Sequence, residues 1–307
     1  MLNTVSHPSA TLVIGAGELG LAMLRGLLGR GDVTRHGGLH VLLRRNDAQR
    51  ERDHMLEAMG VAIVHADLGK DTVDQLAGRF ANYTTVICCT GFVGGAGTQR
   101  KITAAVLKAG VHRYVPWQFG VDYDVVGRGS GQDVWDEQLD VRDMLRAQSG
   151  TRWTIVSTGM FTSFLFDPSF GVVDIASTKV NALGSWDYRL TVTTPEDIGR
   201  VTAAILAQAP RHDNQVVHIA GDTLSYAQLA DRVEACLGRP VTRSLWNVAA
   251  LRELVDAQPD DIMRKYHLAF ARATGVAWDK KKTFNGVEGI AMTDVPTWLA
   301  DHISRKT

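Results

Sequence analysis

The feature that most constrains the fold is a glycine-rich turn near the start of the sequence. A short apolar run at 12–14 leads into GAGELG at 15–20, and a helical pattern begins at Glu18. A strand that ends in G-x-G-x-x-G and passes directly into a helix is the pattern of a dinucleotide-binding βαβ unit. The sequence therefore predicts an α/β fold built on a Rossmann-type doubly wound parallel sheet.

Each glycine of this turn has a separate physical role. Gly15 allows the tight turn out of the strand, Gly17 lets a pyrophosphate approach the backbone, and Gly20 lets the new helix pack closely on the sheet. The first N–H groups of the helix and the positive end of its dipole then favour binding of the phosphates.

An arginine pair follows the second predicted strand, Leu39–Leu43. At this position an acidic residue accepts a hydrogen bond from the ribose of NAD, whereas Arg44 and Arg45 can form charge-assisted bonds with a 2′-phosphate. The pair therefore favours NADP(H) as the cofactor. The alternative is a solvated basic turn before a helix that the pattern predicts from Asn46 to Met59.

The third predicted strand, at 61–64, completes a βαβαβ half. Asp67 and Leu68 follow its carboxyl end, which lies near the adenine in such a sheet, so we expect them at the adenine pocket. For Asp67 a role as a turn or cap residue is an equal alternative.

A second glycine-rich loop, TGFVGGAG at 90–97, follows a fourth predicted strand at 84–89. It competes for the dinucleotide role, but the next strand, Arg113–Val115, ends in Pro-Trp and carries no group that reads a ribose. We therefore assign this loop to the nucleoside and nicotinamide ribose, with Phe92 as an apolar wall. Gln99, near the start of the following helix, is either a donor to the cofactor or the pocket, or a solvated polar residue.

The bulk properties exclude several classes of protein. The 33 basic and 33 acidic residues give a formal net charge of zero, which removes any global argument for nucleic acid or an anionic membrane as a partner. The sequence shows no apolar run long enough to cross a membrane and no signal peptide, so we expect a cytoplasmic protein. The 3 cysteines show no metal-binding or disulfide spacing, and no metal is expected.

The region from Pro116 to Asp140 begins where doubly wound enzymes place reacting groups. The sequence PWQFGVDYD is followed by GRGSGQD, whose glycines suit a mobile flap. On the next predicted helix, Gln138 falls on the apolar stripe formed by Val134, Val141 and Leu145. It is either a core glutamine with satisfied hydrogen bonds or a polar group of the pocket that faces the nicotinamide.

A sixth strand at 153–157 leads into the aromatic stretch TGMFTSFLF at 158–166, which could cover the nicotinamide or pack in the core. Beyond it, short strands are predicted at 171–175, 188–192 and 216–219, and Ser225 with Gln228 predicts a capping box. We therefore predict an NADP(H)-binding domain at 1–157 and a smaller α/β substrate region at 158–307, with room for one Rossmann strand or helix to return within it.

Several motifs in order resemble the NmrA-like and isoflavone-reductase-like family of atypical short-chain dehydrogenase/reductases over nearly the whole chain. They are GAGELG, the arginine pair, the TGF loop with its glutamine, PWQFG, DEQLDVRDMLR, STGMF, TTPEDIG and DTLSYAQLA. The resemblance implies a Rossmann domain with a small substrate domain, NADP(H) as cofactor and, in the enzymatic branch, reduction of phenolic or phenylpropanoid-like aromatics.

The resemblance also assigns site residues. Those that hold the phosphates are Gly15, Gly17, Glu18, Leu19 and Gly20, with Arg44 and Arg45 on the 2′-phosphate. Those that line the nucleoside are Thr90, Gly91 and Phe92, and those that frame the nicotinamide are Pro116, Phe119, Gly159, Met160 and Phe161.

One departure from the family affects catalysis. Isoflavone-type reductases carry a lysine where this sequence has Gln138, and no Tyr-x-x-x-Lys pair is present. Glutamine can donate a hydrogen bond to a carbonyl but supplies no proton. We therefore expect Gln138 to orient the acceptor oxygen and Tyr123 or Asp122 to supply the proton, directly or through water.

Two functions remain open on the sequence alone. The first is an NADPH-dependent reductase of a small aromatic molecule, acting as a monomer or homodimer. The second is a regulatory protein of the NmrA type that senses NADP(H) and binds a protein partner without turnover. The missing lysine and tyrosine favour this second function.

Overall fold

The computed structural model describes residues 10–31, 38–46, 49–92 and 94–303 of the chain. The strands are β1 Thr11–Ile14, β2 Leu39–Leu43, β3 Ala62–His65, β4 Thr85–Cys88, β5 Arg113–Val115, β6 Arg152–Ser157, β7 Met160–Phe161, β8 Val173–Asp174, β9 Lys179–Leu183, β10 Arg189–Thr193, β11 Gln215–His218, β12 Asp222–Ser225 and β13 Thr242–Trp246. The helices are α1 Glu18–Leu28, α2 Arg50–Ala58, α3 Val73–Phe80, α4 Thr98–Lys108, α5 Tyr123–Val126, α6 Asp133–Arg146, α7 Thr162–Leu165, α8 Pro195–Ala207, α9 Tyr226–Leu237, α10 Val248–Ala257, α11 Ile262–Phe270, α12 Phe284–Val287 and α13 Val295–Ile303.

The main sheet has seven strands in the order β11-β6-β5-β4-β1-β2-β3. The strand pairs from β6 to β3 are all parallel. All four residues of β1 are buried, as expected for a central strand covered on both faces. The chain leaves β1 toward β2 and later crosses to β4 on the other side, so the strand order reverses at β1. The predicted Rossmann-type doubly wound sheet is confirmed, and its ligand edge is the carboxyl end of these strands.

The contacts divide the chain into two compact units. Unit 1 contains residues 1–118, 140–156 and 198–217, and unit 2 contains residues 119–139, 157–197 and 218–307. Most residues of α8 and β11 therefore belong to unit 1, which contains most of the main sheet. The functional boundary near residue 157 stays a prediction.

Within unit 1, α8 lies against α1 at two glycines. A Cβ atom at Gly26 would lie 2.5 Å from the carbonyl carbon of Gly199, and one at Gly199 would lie 2.3 Å from the Ala22 oxygen. Such separations leave no room for any side chain, so the two helix backbones are in direct contact at this point.

Unit 2 is built on two three-stranded sheets, ordered β12-β10-β7 and β13-β9-β8. Its core is rich in aromatic residues. Trp135 has its ring centroid 5.2 Å from that of Phe270 at an interplanar angle of 90°, and Phe164 stacks on Phe170 at 4.4 Å. These rings bury large apolar areas, which supply most of the driving force for folding of such a core.

The predicted elements agree best with the structure in unit 1. The bounds of β2 and β5 are as predicted, whereas β3 is shifted by one residue. The predicted helix from Asn46 begins at Arg50, and residues 47 and 48 lie outside the described part. In unit 2 the capping box of Ser225 and Gln228 is confirmed, but β7, β9, β12 and β13 were not predicted.

No helix among the described residues has the length and apolar character needed to span a membrane. Cys88 and Cys89 are both buried, and burial raises the pKa of the Cys88 thiol to about 12, so this thiol stays protonated at neutral pH.

Candidate functional site

The glycine turn at the carboxyl end of β1 has the geometry of a phosphate cradle. Gly15 has φ of 93°, a conformation that other residues rarely adopt. A Cβ atom at Gly20 would lie 2.1 Å from the Gly15 oxygen, whereas one at Gly17 would meet no atom within 4 Å. The space beside Gly17 is therefore open to a ligand, and as N-cap this residue has no side chain to accept from the first turn of α1.

The two arginines after β2 line a basic cavity in unit 1. The cavity, of about 450 Å³, is lined by the cationic side chains Arg44, Arg45, Lys70 and Arg79 together with His65, Asp67 and Asp71. Both arginines of the pair are exposed, so their guanidinium groups are accessible to a ligand. Four cationic groups facing two carboxylates give a local excess of positive charge, the requirement for binding a phosphate ester.

Asp67 and Leu68 follow β3 as predicted, but Asp67 serves as a turn residue. Its Oδ1 accepts hydrogen bonds from the N–H of Gly69 at 2.9 Å and of Lys70 at 3.2 Å. The carbonyl of Leu68 accepts a bond of 2.8 Å from Lys101 Nζ. The turn alternative for Asp67 is thus present in the structure, and contact of either residue with adenine stays a prediction.

The loop after β4 lies beside the glycine turn. A Cβ atom at Gly15 would lie 3.2 Å from Thr90 Cβ. Gln99 is 1% exposed, and its Nε2 donates to the carbonyls of Thr90 at 2.9 Å and Gly91 at 2.7 Å. The alternative of a solvated glutamine is therefore wrong, because Gln99 is buried and its side chain binds the backbone of this loop. Phe92 packs edge to face on Trp117 with centroids 4.7 Å apart.

The residues predicted to frame the nicotinamide fall in both units, with Pro116 buried at the end of β5 in unit 1. In unit 2, the Gly120 carbonyl accepts from the N–H groups of Thr158 and Gly159, both at 2.9 Å. This bonding joins the loop that carries Phe119 to the loop that carries Gly159. Gly159 has φ of 73°, and its Cβ would lie 2.1 Å from the Thr191 oxygen, so only glycine fits there.

Met160 and Phe161 form β7, which pairs in parallel with the end of β10. Met160 is 3% exposed, whereas Phe161 is half-buried. The other phenylalanines of the aromatic stretch pack on core rings: Phe164 stacks on Phe170, and Phe166 stacks on Trp298 with centroids 4.6 Å apart. For these two the core alternative is the correct one.

The predicted catalytic residues Gln138, Tyr123 and Asp122 all lie in unit 2, and they differ in their exposure to solvent. Gln138 is 0% exposed and Tyr123 is 3% exposed. The Tyr123 ring lies 6.0 Å from that of Trp135, and a Cβ atom at Gly120 would lie 2.4 Å from its hydroxyl. The side chain of Asp122 is 20% exposed and therefore accessible.

The stretch predicted as a flap, GRGSGQD at 127–133, has several anchors in unit 2. The Gly129 N–H donates to Asp136 Oδ1 at 3.0 Å. Arg272 donates through Nη2 to the Ser130 carbonyl at 3.1 Å, and its guanidinium carbon lies 5.8 Å from the centroid of the Trp135 ring. Burial lowers the pKa of Arg272, but a guanidinium remains charged at neutral pH.

His218 is a candidate that the sequence did not identify. Its Nε2 lies 3.2 Å from Asp122 Oδ2, although the two residues are 96 positions apart in the sequence. The residue fell within a predicted strand at 216–219, and no motif or spacing marked it. A lone histidine acquires a role only when the fold supplies its partner.

The His218 ring contacts Trp278, a residue that lines a cavity of unit 2. The His218 ring packs edge to face on Trp278, with centroids 4.8 Å apart, and Trp278 Nε1 donates to the Ile219 carbonyl at 3.0 Å. Trp278, Tyr188 and Lys280 line a cavity of about 760 Å³. This volume is in the range of pockets that bind small organic molecules.

Comparisons with known proteins agree with this architecture. The model of the NmrA-like family matches residues 9–288. An "NmrA-like family domain-containing oxidoreductase" of Gibberella moniliformis is 44% identical over 299 residues, which cover 94% of this chain and 97% of that protein.

Solved structures of the same fold are more distant in sequence. An isoflavone reductase has a TM-score of 0.74 at 20% identity and covers 95% of this chain and 99% of its own. A complex of AtPrR2 with NADP+ and (+)pinoresinol also has a TM-score of 0.74, at 18% identity, over 95% of this chain and 98% of its own. The match of the family model over most of the chain, together with the oxidoreductase of 44% identity, leads to one conclusion: this chain belongs to the NmrA-like family and is an oxidoreductase of it.

Proposed function

We propose that this protein is an NADPH-dependent reductase of a small aromatic or phenylpropanoid-like molecule. The observation that carries the proposal is the combination, in unit 1, of the open glycine turn of β1 and the basic cavity after β2. A dinucleotide that carries an additional phosphate on its adenosine ribose matches both features.

The residues present fit such a cofactor. Gly17, Glu18 and Leu19 lie at the start of α1, where backbone N–H groups can bind the pyrophosphate. Arg44 and Arg45 offer planar guanidinium donors for the 2′-phosphate. The nicotinamide group supplies a hydride when it is bound. The roles of Thr90, Gly91 and Phe92 at the nucleoside, and of Phe119 and Gly159–Phe161 at the nicotinamide, are part of the same proposal.

Two observations support the substrate class. Phe161, which we predict to frame the nicotinamide, is half-buried, so part of this aromatic residue is accessible. A structural neighbour of the same fold binds NADP+ and (+)pinoresinol. We keep Gln138 as the group that orients the acceptor oxygen. A cytoplasmic location and the monomeric or homodimeric state stay predictions.

Calorimetric titration with NADPH and NADH tests the cofactor preference. A hydrogen bond to a charged group contributes about 1.5–3 kcal/mol, which is roughly 10- to 100-fold in affinity. Arg44→Ala combined with Arg45→Ala removes at least two such donors, so NADPH binding should weaken by at least this factor. Affinity for NADH should not change, because it has no 2′-phosphate. Arg211→Ala, an exposed arginine of unit 1, is the matched control. Equal losses for both cofactors would contradict the assignment of the pair.

The reductase itself is tested by following NADPH oxidation across a panel of aromatic aldehydes, ketones, quinones and phenylpropanoid ethers. Turnover of a compound in this panel is expected. Tight NADPH binding with no turnover on the panel would instead support the sensor alternative.

A further inference from the structure

We propose that His218 is the proton donor of this reductase and that Asp122 positions and polarises its ring. The inference rests on the proposed function and names the group that replaces the missing lysine and tyrosine of the family.

The first support is the geometry of the pair. His218 Nε2 lies within hydrogen-bond distance of Asp122 Oδ2, at 3.2 Å. Asp122 is itself fixed, because its backbone N–H donates to the Gly275 carbonyl at 2.8 Å and its carbonyl accepts from Val126 at 2.9 Å. A carboxylate that accepts from one ring nitrogen fixes the tautomer and the orientation of the imidazole. The other nitrogen, Nδ1, is then the one that can face a substrate.

The second support is the position of the pair in unit 2. His218 ends β11, and the next N–H, of Ile219, donates to the Ser157 carbonyl at the end of β6 at 2.9 Å. Asp122 lies two residues after Gly120, whose carbonyl binds the N–H groups of Thr158 and Gly159. The pair is therefore connected through short bonds to both loops that we predict to frame the nicotinamide.

The third support is access. The side chain of His218 is 31% exposed, whereas Gln138 and Tyr123 are enclosed. A proton donor must recover its proton from water after each turnover, which an enclosed group does with difficulty. At this exposure an imidazole–carboxylate pair contributes little to the free energy of unfolding. Stability alone is therefore a poor explanation for the pair.

In the proposed reduction, a proton moves from His218 to the substrate oxygen. As the carbonyl carbon of the substrate accepts the hydride, the π-electron pair of the C=O bond moves to oxygen. The N–H bond at Nδ1 of protonated His218 breaks and an O–H bond forms on the substrate. His218 is left neutral with its remaining proton on Nε2, directed at Asp122, and it regains the lost proton from solvent. The reductant is the reduced nicotinamide dinucleotide of the proposed function.

Steady-state kinetics on the full-length protein tests the role, with a substrate taken from the aromatic panel. General acid catalysis contributes typically about 10²–10⁴-fold, so His218→Gln should lower kcat by roughly 10²-fold or more. KM and the Kd for NADPH should change little, because the glutamine keeps the volume and polarity of the site. Asp122→Asn should give an intermediate kcat. His302→Gln, an exposed histidine of α13, serves as the control and should behave as the wild type.

Two readouts separate this role from a structural one. His218→Ala should regain part of its kcat when free imidazole is added, which a packing defect would not show. Nitrogen-15 NMR of the wild type without substrate should place the proton of neutral His218 on Nε2, and Asp122→Asn should disturb that signal. A melting temperature near that of the wild type verifies that each variant is folded.

The outcomes are distinguishable. If the wild type turns over a compound and His218→Gln retains full kcat, only the present inference is overturned. If the wild type binds NADPH but turns over no compound of the panel, the proposed function fails and the inference fails with it. A proton on Nδ1 of neutral His218 in the wild type contradicts the role of Asp122, whatever the kinetics show.

Discussion

The cofactor edge of unit 1 and the proton-donor pair of unit 2 are assembled in opposite ways. The glycine turn is contained in 15–20, and its function depends on side chains that are absent. The His218–Asp122 pair depends on two side chains that are 96 positions apart, and on backbone supplied by a third segment at Gly275. A local site can be recognised in the sequence, whereas a long-range site exists only once the fold has formed.

The local site, the glycine turn of unit 1, is tested most sharply by a comparison of two of its glycines. In Gly20→Ala the new Cβ would lie 2.1 Å from the backbone oxygen of Gly15. Relief of this clash requires the backbone to move, which costs free energy. We expect a loss of about 1–3 kcal/mol in the free energy of unfolding, together with loss of NADPH binding. In Gly17→Ala the Cβ meets nothing within 4 Å, so stability should change by less than about 0.5 kcal/mol.

Gly17→Ala should nevertheless weaken NADPH binding, because its methyl group occupies the space proposed for the pyrophosphate. Denaturant unfolding and calorimetric titration of both variants measure the two effects separately. If Gly17→Ala binds NADPH as tightly as the wild type, the phosphates do not lie against this turn.

The long-range site, the His218–Asp122 pair, is tested at Gly275, whose carbonyl accepts a hydrogen bond from the Asp122 N–H. Gly275 has φ of +81°, and its Cβ would lie 2.6 Å from Val126 Cγ2 and 3.4 Å from the Asp122 oxygen. Gly275→Ala should cost about 1–2 kcal/mol in backbone strain and should also displace the loop that carries Asp122, so kcat should fall. The measurement is kcat together with the free energy of unfolding.

Gly238 offers a matched control for this prediction. It also has positive φ, +64°, but a Cβ there meets nothing within 4 Å. Gly238→Ala should therefore lose similar stability from backbone strain and keep its kcat. Equal kcat in both variants would mean that the segment at Gly275 does not position the pair.

The same contrast explains how far the sequence predicted the structure. The strands β1, β2, β4, β5 and β6 were predicted because strands buried in a parallel sheet are continuous apolar runs. The strand β13 was missed because TRSLW is polar and lies at a sheet edge, and β7 has two residues, too few to show a period. No local pattern marks the contact of α1 with α8 at Gly26 and Gly199, or the hydrogen bonds of Gln99.

The smallest expected effect concerns a buried titratable ring of unit 2. His267 is 9% exposed, and its Nε2 donates to the Phe170 carbonyl. Burial lowers the pKa of His267 below its ordinary value of 6.5, because the charged ring is poorly solvated there, and this outweighs the opposing effect of the Phe170 bond. Unit 2 thus contains a group that resists protonation when folded.

The sign of the pH effect follows from proton linkage. Between the lowered pKa of folded His267 and the value of 6.5, the unfolded chain binds more protons, so stability falls as the pH is lowered through this range. In His267→Gln, whose amide can still donate to Phe170, melting temperature should depend less on pH between neutral and mildly acid solution. His54→Gln, an exposed histidine of unit 1, should keep the dependence of the wild type. If all three proteins lose stability equally on acidification, the pH sensitivity originates outside His267.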